Sequence, residues 1–227
     1  MAELNKTVLG KVRGSIGELT FRQRNGKNVI AMRPSSFTPG TDPASIARRE
    51  RFKLTIKLAK GLNNIPFIKS MWNTVKPAEL SAYNYIFKSN YQFVSPDDIT
   101  ANPLILPEYG FNIDNPTGTY NASSIDITFD ALGTSKGIDT LIETNAYLIS
   151  VLFLKDPVNT NYENYQISII ESGLVPLDLE NPLMLNIAVQ DSLLAFYNDY
   201  QEKKVFSVLI TVDAENNVVN YSNTFSV

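Results

Sequence analysis

Before Asn25-Gly26 apolar Leu19 and Phe21 alternate with polar Thr20 and Arg22, and after it comes the apolar run Val29, Ile30, Ala31 and Met32. Asn-Gly between two such runs predicts a β-hairpin, because both central residues of a type I′ turn need positive φ. Folding about that turn sets Arg24 opposite Lys27, Gln23 opposite Asn28, Arg22 opposite Val29, Phe21 opposite Ile30, Thr20 opposite Ala31 and Leu19 opposite Met32. One face then carries Leu19, Phe21, Ile30 and Met32, and the other Thr20, Arg22, Arg24 and Lys27. A two-stranded ribbon is marginal alone in water, so this one is expected to dock on something else. Phe21, Arg22, Arg24, Asn25, Gly26, Lys27 and Ile30 are therefore the candidate assembly residues.

Ahead of the hairpin, Val8, Leu9, Val12 and Ile16 are spaced among Gly10, Gly14 and Gly17. Glycines at this density disfavour a helix and suit an extended arm that adds a strand to the hairpin. A phosphate-cradling loop is not expected there, since the Lys-Ser/Thr ending of a P-loop is missing.

The period then changes to that of helices. Thr41 or Asp42 followed by Pro43 predicts a helix start, with the helix running to about Lys60 and stopping at Gly61. Its expected apolar stripe is Ile46, Phe52, Ile56 and Ala59, with Leu54, Leu58 and Leu62 on a flank. Arg48, Arg49, Arg51 and Lys53 on the remaining surface form a candidate anion-binding set, weighed against a solvated face of a core helix. Pro66 and Pro77 are expected to open two further helices, with Trp72, Tyr83 and Phe87 read as core. Asp97 and Asp98 are expected to cap a short helical turn after Ser95-Pro96.

Pro103, Pro107, Gly110, Pro116 and Gly118 mark a linker, after which the period becomes two. Strands are predicted around 125–129, 146–154, 165–169, 183–187 and 205–212, with a last one from Val218. The segment 146–154, apolar on nearly both faces, is placed at the centre. The expected fold class is α+β: an N-terminal β-hairpin arm and short helices over 1–101, a linker over 102–119, and an antiparallel Ig/fibronectin-like β-sandwich over 120–227.

Composition narrows the chemistry. The 227 residues include no Cys and no His, which removes thiol nucleophiles, Cys/His zinc sites and the usual proton-transfer side chain. No catalytic residue, cofactor or metal site is expected. Calcium on Asp156 with Glu163, or on Asp213 with Glu215, lacks the spacing of a calcium loop. No run approaches the roughly 20 apolar residues of a membrane helix, so no membrane insertion is expected. The first residues lack the apolar core of a signal peptide, which predicts synthesis in the cytoplasm.

Net charge hides an asymmetry. Residues 1–76 carry 15 Lys plus Arg against 4 acidic residues, and 77–227 carry 5 against 19. The balances of +11 and −14 suggest an anionic partner for the front half or contact between copies.

The segment Leu9-Gly10-Lys11-Val12-Arg13-Gly14-Ser15-Ile16-Gly17, the hairpin Thr20 to Ile30, Ala47-Arg48-Arg49-Glu50-Arg51-Phe52 and the Trp72 region carry a resemblance. The chain resembles an uncharacterised family widespread in Bacteroidota bacteria and in related mobile or phage-like sequences. The resemblance implies a fibronectin-like C-terminal part, including Val205 to Val212 and Val218 to Phe225, and a role in binding or assembly, with no site residues to carry over. The expected function is a non-catalytic structural protein that associates with other copies or other structural subunits, in a virion, filament or extracellular assembly. Nucleic-acid binding by the basic half, and glycan binding by the sandwich loops, are the alternatives.

Overall fold

The computed structural model describes residues 2–4, 13–24, 26–33, 36, 38–107 and 110–227, with side chains from Arg13 onward except Arg24. It divides into two compact units, Met1–Ile46 and Ala47–Val227. The class is α+β, with every strand ladder antiparallel.

The first unit is a four-stranded sheet built from β1 (Ala2–Leu4), β2 (Gly14–Ile16), β3 (Leu19–Arg24) and β4 (Lys27–Met32), in the order β1-β4-β3-β2. The β3–β4 register runs from Leu19 opposite Met32 to Arg24 opposite Lys27, the pairing that a two-residue Asn-Gly loop imposes. Gly26 has φ +78°; Asn25, like residues 5–12, Pro34, Ser35 and Phe37, lies outside the described residues. Strands flank the hairpin on both sides, Ala2–Leu4 beside Asn28–Ile30 and Gly14–Ile16 beside Leu19–Phe21.

Helix α1 (Pro43–Asn64) starts where Asp42 Oδ1 accepts the Ser45 N–H at 2.9 Å. It does not stop at Gly61. The glycine sits mid-turn because a Cβ there would come within 3.2 Å of the Ile169 side chain, and the helix ends where Pro66 holds Ile65 extended. The buried stripe also differs from expectation: Leu54, Thr55, Leu58, Ala59 and Leu62 face inward, while Ile46 and Phe52 are about half exposed. Two adjacent i, i+4 rows, 54-58-62 and 55-59, suffice to cover a sheet, which turns Phe52 outward onto the Phe87 ring.

Helix α2 (Pro66–Val75) begins at its proline as expected, whereas α3 (Ala82–Asn90) begins five residues after Pro77. Ser81 accepts the Asn84 N–H and supplies the cap that Pro77 cannot. Trp72 is buried and donates Nε1–H to the Ile105 carbonyl at 2.9 Å. Asn90, fully buried, donates to the Ile86 and Leu104 carbonyls and accepts from the Leu104 N–H, pinning the crossing segment to the helices.

The remaining elements are β5 (Thr117–Tyr120), β6 (Ser124–Phe129), β7 (Asn145–Pro157), β8 (Tyr165–Glu171), β9 (Val175–Pro176), β10 (Leu183–Ala188), α4 (Asp191–Asp199), β11 (Tyr200–Val212), β12 (Val218–Tyr221) and β13 (Phe225–Ser226). They form a small sheet, β10-β6-β5, and a larger one, β12-β11-β7-β8, with β13 also on β11 and β9 on β7. One face of the larger sheet, including Val151, Phe153, Val208 and Ile210, packs with Leu54, Leu58, Ile68, Trp72 and Ile86 of the helices. The other face, including Leu148, Leu152, Val205 and Leu209, packs with Ile125, Ile127, Leu185 and Ile187 of the small sheet. Burial on both faces explains why 146–154 reads as a continuous apolar run.

Candidate interaction surface

In the first unit, the pairings Ile16 with Leu19 and Leu19 with Met32 place three apolar residues in one cross-strand row. All three are open to solvent: Ile16 at 70%, Leu19 at 41% and Met32 at 73%. The neighbouring row holds Phe21 and Ile30, both half-buried. Gln23 donates to the buried Asn28 side chain at 3.1 Å and closes that face with a polar pair. On the opposite face Arg22 is exposed and lies across from Val29, which is buried. Lys27 is exposed, and the side chain of Arg24 lies outside the described residues.

The basic helix is largely occupied by its own chain. Arg51 donates from Nε and Nη2 to the Tyr91 carbonyl at 3.1 and 2.7 Å, with its guanidinium 4.1 Å above the Tyr91 ring. Lys57 is paired with Glu163, Lys53 lies 3.7 Å from the same carboxylate, and Lys57 also sits over the Tyr165 ring. The Lys57 hydrogen bond holds the Glu163 carboxyl below its usual pKa. Arg48 and Arg49 are exposed. Two of the four residues expected to bind anions, Arg51 and Lys53, thus have partners within the fold.

Asp97 and Asp98 meet the same fate. No helical turn forms there, because Val94 and Ile99 pair as an isolated bridge and Ser95 N–H bonds the Asp98 carbonyl. Asp98 instead accepts Lys204 at 2.6 to 2.7 Å, and Asp97 lies 3.3 Å from Lys155. These two pairs lie within the acidic part; the contacts of Lys53 and Lys57 with Glu163 are the ones that offset part of the charge asymmetry inside the chain.

Among the described residues no three acidic side chains converge on a metal position. Asp213 accepts the Glu215 and Asn217 N–H groups and the Asn217 amide, which keep its pKa low and give the carboxylate a turn-closing role. A cavity of about 330 Å³ lies between Phe93, Leu104, Leu106, Val208 and Thr224, and its described lining contains no ionisable side chain. No described helix is long and apolar enough to cross a membrane.

No family model, curated protein or solved structure matches the chain.

Exposed apolar residues outside the hairpin escape sequence reasoning. Leu141 is 92% exposed and Ile142 52% exposed, in a turn just before β7. The one signal for them is position: an apolar pair flanked by Asp139-Thr140 and Glu143-Thr144, too short to be a strand.

Proposed function

We propose that this chain is a non-catalytic assembly protein, and that its four-stranded sheet serves as the arm joining it to other copies or to the structural subunits of a larger particle or filament. The observation that supports this reading is the exposed row Ile16, Leu19 and Met32. Three apolar side chains stacked across paired strands are costly to leave in water, and burying one large apolar side chain fully is worth about 1.5 to 3 kcal/mol. The two antiparallel sheets of the second unit are, on this reading, a fibronectin-like sandwich with a helical layer on one face, as the family resemblance implies. A virion or an extracellular filament is a setting in which such a subunit would act.

The test is the mass in solution, by light scattering over a range of protein and salt concentrations, for the full chain and for Met32→Glu and Ile16→Ser. Assemblies that shrink in both variants, with unchanged circular dichroism, agree with the proposal. A full chain that stays monomeric at millimolar concentration and low salt overturns it.

A further inference from the structure

We infer that the Leu141–Ile142 turn of one copy docks on the exposed apolar row of the first unit of the next, making a head-to-tail contact between copies. The inference rests on the assembly reading above and names the surface that the arm would take.

The turn is held rigid from within. Asp139 Oδ1 accepts the Leu141 N–H at 3.0 Å, and the Asp139 carbonyl accepts the Ile142 and Glu143 N–H groups at 3.0 and 2.7 Å. The Glu143 carboxylate, only 3% exposed, accepts the Asp139 N–H at 2.9 Å and the Thr211 hydroxyl. A buried carboxylate thus ties the turn to β11, and the two apolar side chains are presented without freedom to fold back. Preorganised apolar contacts lose less entropy on binding, which favours such a tip as an anchor.

Charge selects the partner. The segments 139–143, 171–176 and 212–217 lie at one end of the larger sheet, where β7 begins and where β8, β9 and β11 reach it. They carry Asp139, Glu143, Glu171, Asp213 and Glu215 and no Lys or Arg. Leu174, half exposed, borders a cavity of about 440 Å³ at this end with Tyr147 and Val212. Two such acidic ends repel each other, which disfavours a symmetric tip-to-tip dimer. The first unit has the opposite sign, with 7 Lys plus Arg against 3 acidic residues in 1–46. Arg13, Arg22, Lys27 and Arg33 are exposed on it, Arg22 and Lys27 on the face opposite the apolar row. An apolar tip at an acidic end and an apolar row on a unit of net positive charge are complementary in both chemistry and charge.

A heterologous contact has a diagnostic that a symmetric one lacks. Leu141→Asp with Ile142→Asp removes the tip and keeps the row; Met32→Glu removes the row and keeps the tip. Each variant alone is expected to have its self-association constant weakened about tenfold or more. Mixed, they should form a complex of one copy of each that does not grow further. Raising salt from about 0.05 M to about 0.5 M should weaken association of the unaltered chain several-fold. Circular dichroism and melting temperature check folding, with Leu141→Ser and Ile142→Ser as a second, milder pair. If Met32→Glu dissociates the assembly while both tip variants assemble as the unaltered chain does, the tip contact is overturned and the assembly reading stands. If each variant dissociates but the mixture forms no complex, the head-to-tail pairing is overturned. If the unaltered chain is monomeric throughout, both readings fall together.

Discussion

Ser150 and Ser207 face each other across β7 and β11 with their hydroxyls 2.7 Å apart, both fully buried. They are the polar step in an apolar row that runs through Leu148, Leu152, Val205 and Leu209. Each hydroxyl satisfies the other. Ser207→Ala therefore strands a buried donor and should cost about 1 to 3 kcal/mol, while the double change to alanine should cost less than the sum of the single ones. Urea unfolding of the four-protein cycle measures the coupling; additive losses would show that the pair does not act as a unit.

The Lys57–Glu163 pair predicts an acid-side dependence. The Lys57 hydrogen bond lowers the Glu163 pKa in the folded state, so its stabilisation is present above the ordinary glutamate pKa and is lost as pH falls through the lower, folded value. The Glu163 side chain is half exposed, and screening keeps the contribution below about 1 kcal/mol. Lys57→Met should be less stable than the unaltered chain at pH 7, with the gap closing below about pH 4. A gap that persists at pH 3 would assign the loss to packing on Tyr165.

Tyr165 is buried and its hydroxyl has no hydrogen-bond partner among the described residues. Removing an unpartnered hydroxyl relieves a desolvation cost, so Tyr165→Phe should be neutral or stabilising by up to about 1 kcal/mol at pH 7. Burial, with Glu50 and Glu163 nearby, pushes the phenol up to about 12. A folded pKa above the unfolded value gives stability that is full below about pH 10 and falls as pH rises toward 12. Tyr165→Phe should therefore flatten the alkaline limb of the stability curve, read by melting temperature from pH 8 to 11.

Gly110 is irreplaceable on steric grounds. A Cβ there would lie 1.9 Å from the Tyr221 carbonyl oxygen, at the bridge where Phe111 pairs with Ser222. Backbone cannot yield as a side-chain tip can. Gly110→Ala should cost more than about 2 kcal/mol, against little change for alanine at Gly173, whose surroundings are open. Equal melting temperatures for the two variants would contradict this.

What could be read in advance follows from how local each signal is. The hairpin register came from two adjacent residues, β6, β8 and β10 from alternation that short windows contain, and β7 from a continuous apolar run. The early part of β11, Gln201-Glu202-Lys203-Lys204, is polar and does not read as a strand; it becomes one by pairing with the end of β7. Helix α4 went unanticipated because Leu193, Leu194 and Phe196 also fit a short strand or loop. The candidate surface was half legible. Phe21, Arg22 and Ile30 stand where the register put them, but the solvent-facing row is Ile16, Leu19 and Met32, set by the strand β2 adds to the hairpin. Arg51 and Lys53 seemed available only because their partners, Tyr91 and Glu163, are 40 and more residues away in the chain.

The larger sheet is the common wall of two hydrophobic cores, which has a consequence in time. Neither core can close until β7 and β11 have found each other across the residues between them, so the slow step of folding in this unit is expected to be that one long-range pairing. The amides of these two strands should then be the last to exchange their hydrogens, opening only when helices and small sheet come off together. A layer shared by two cores makes the unit fail as a whole, with no half of it left standing.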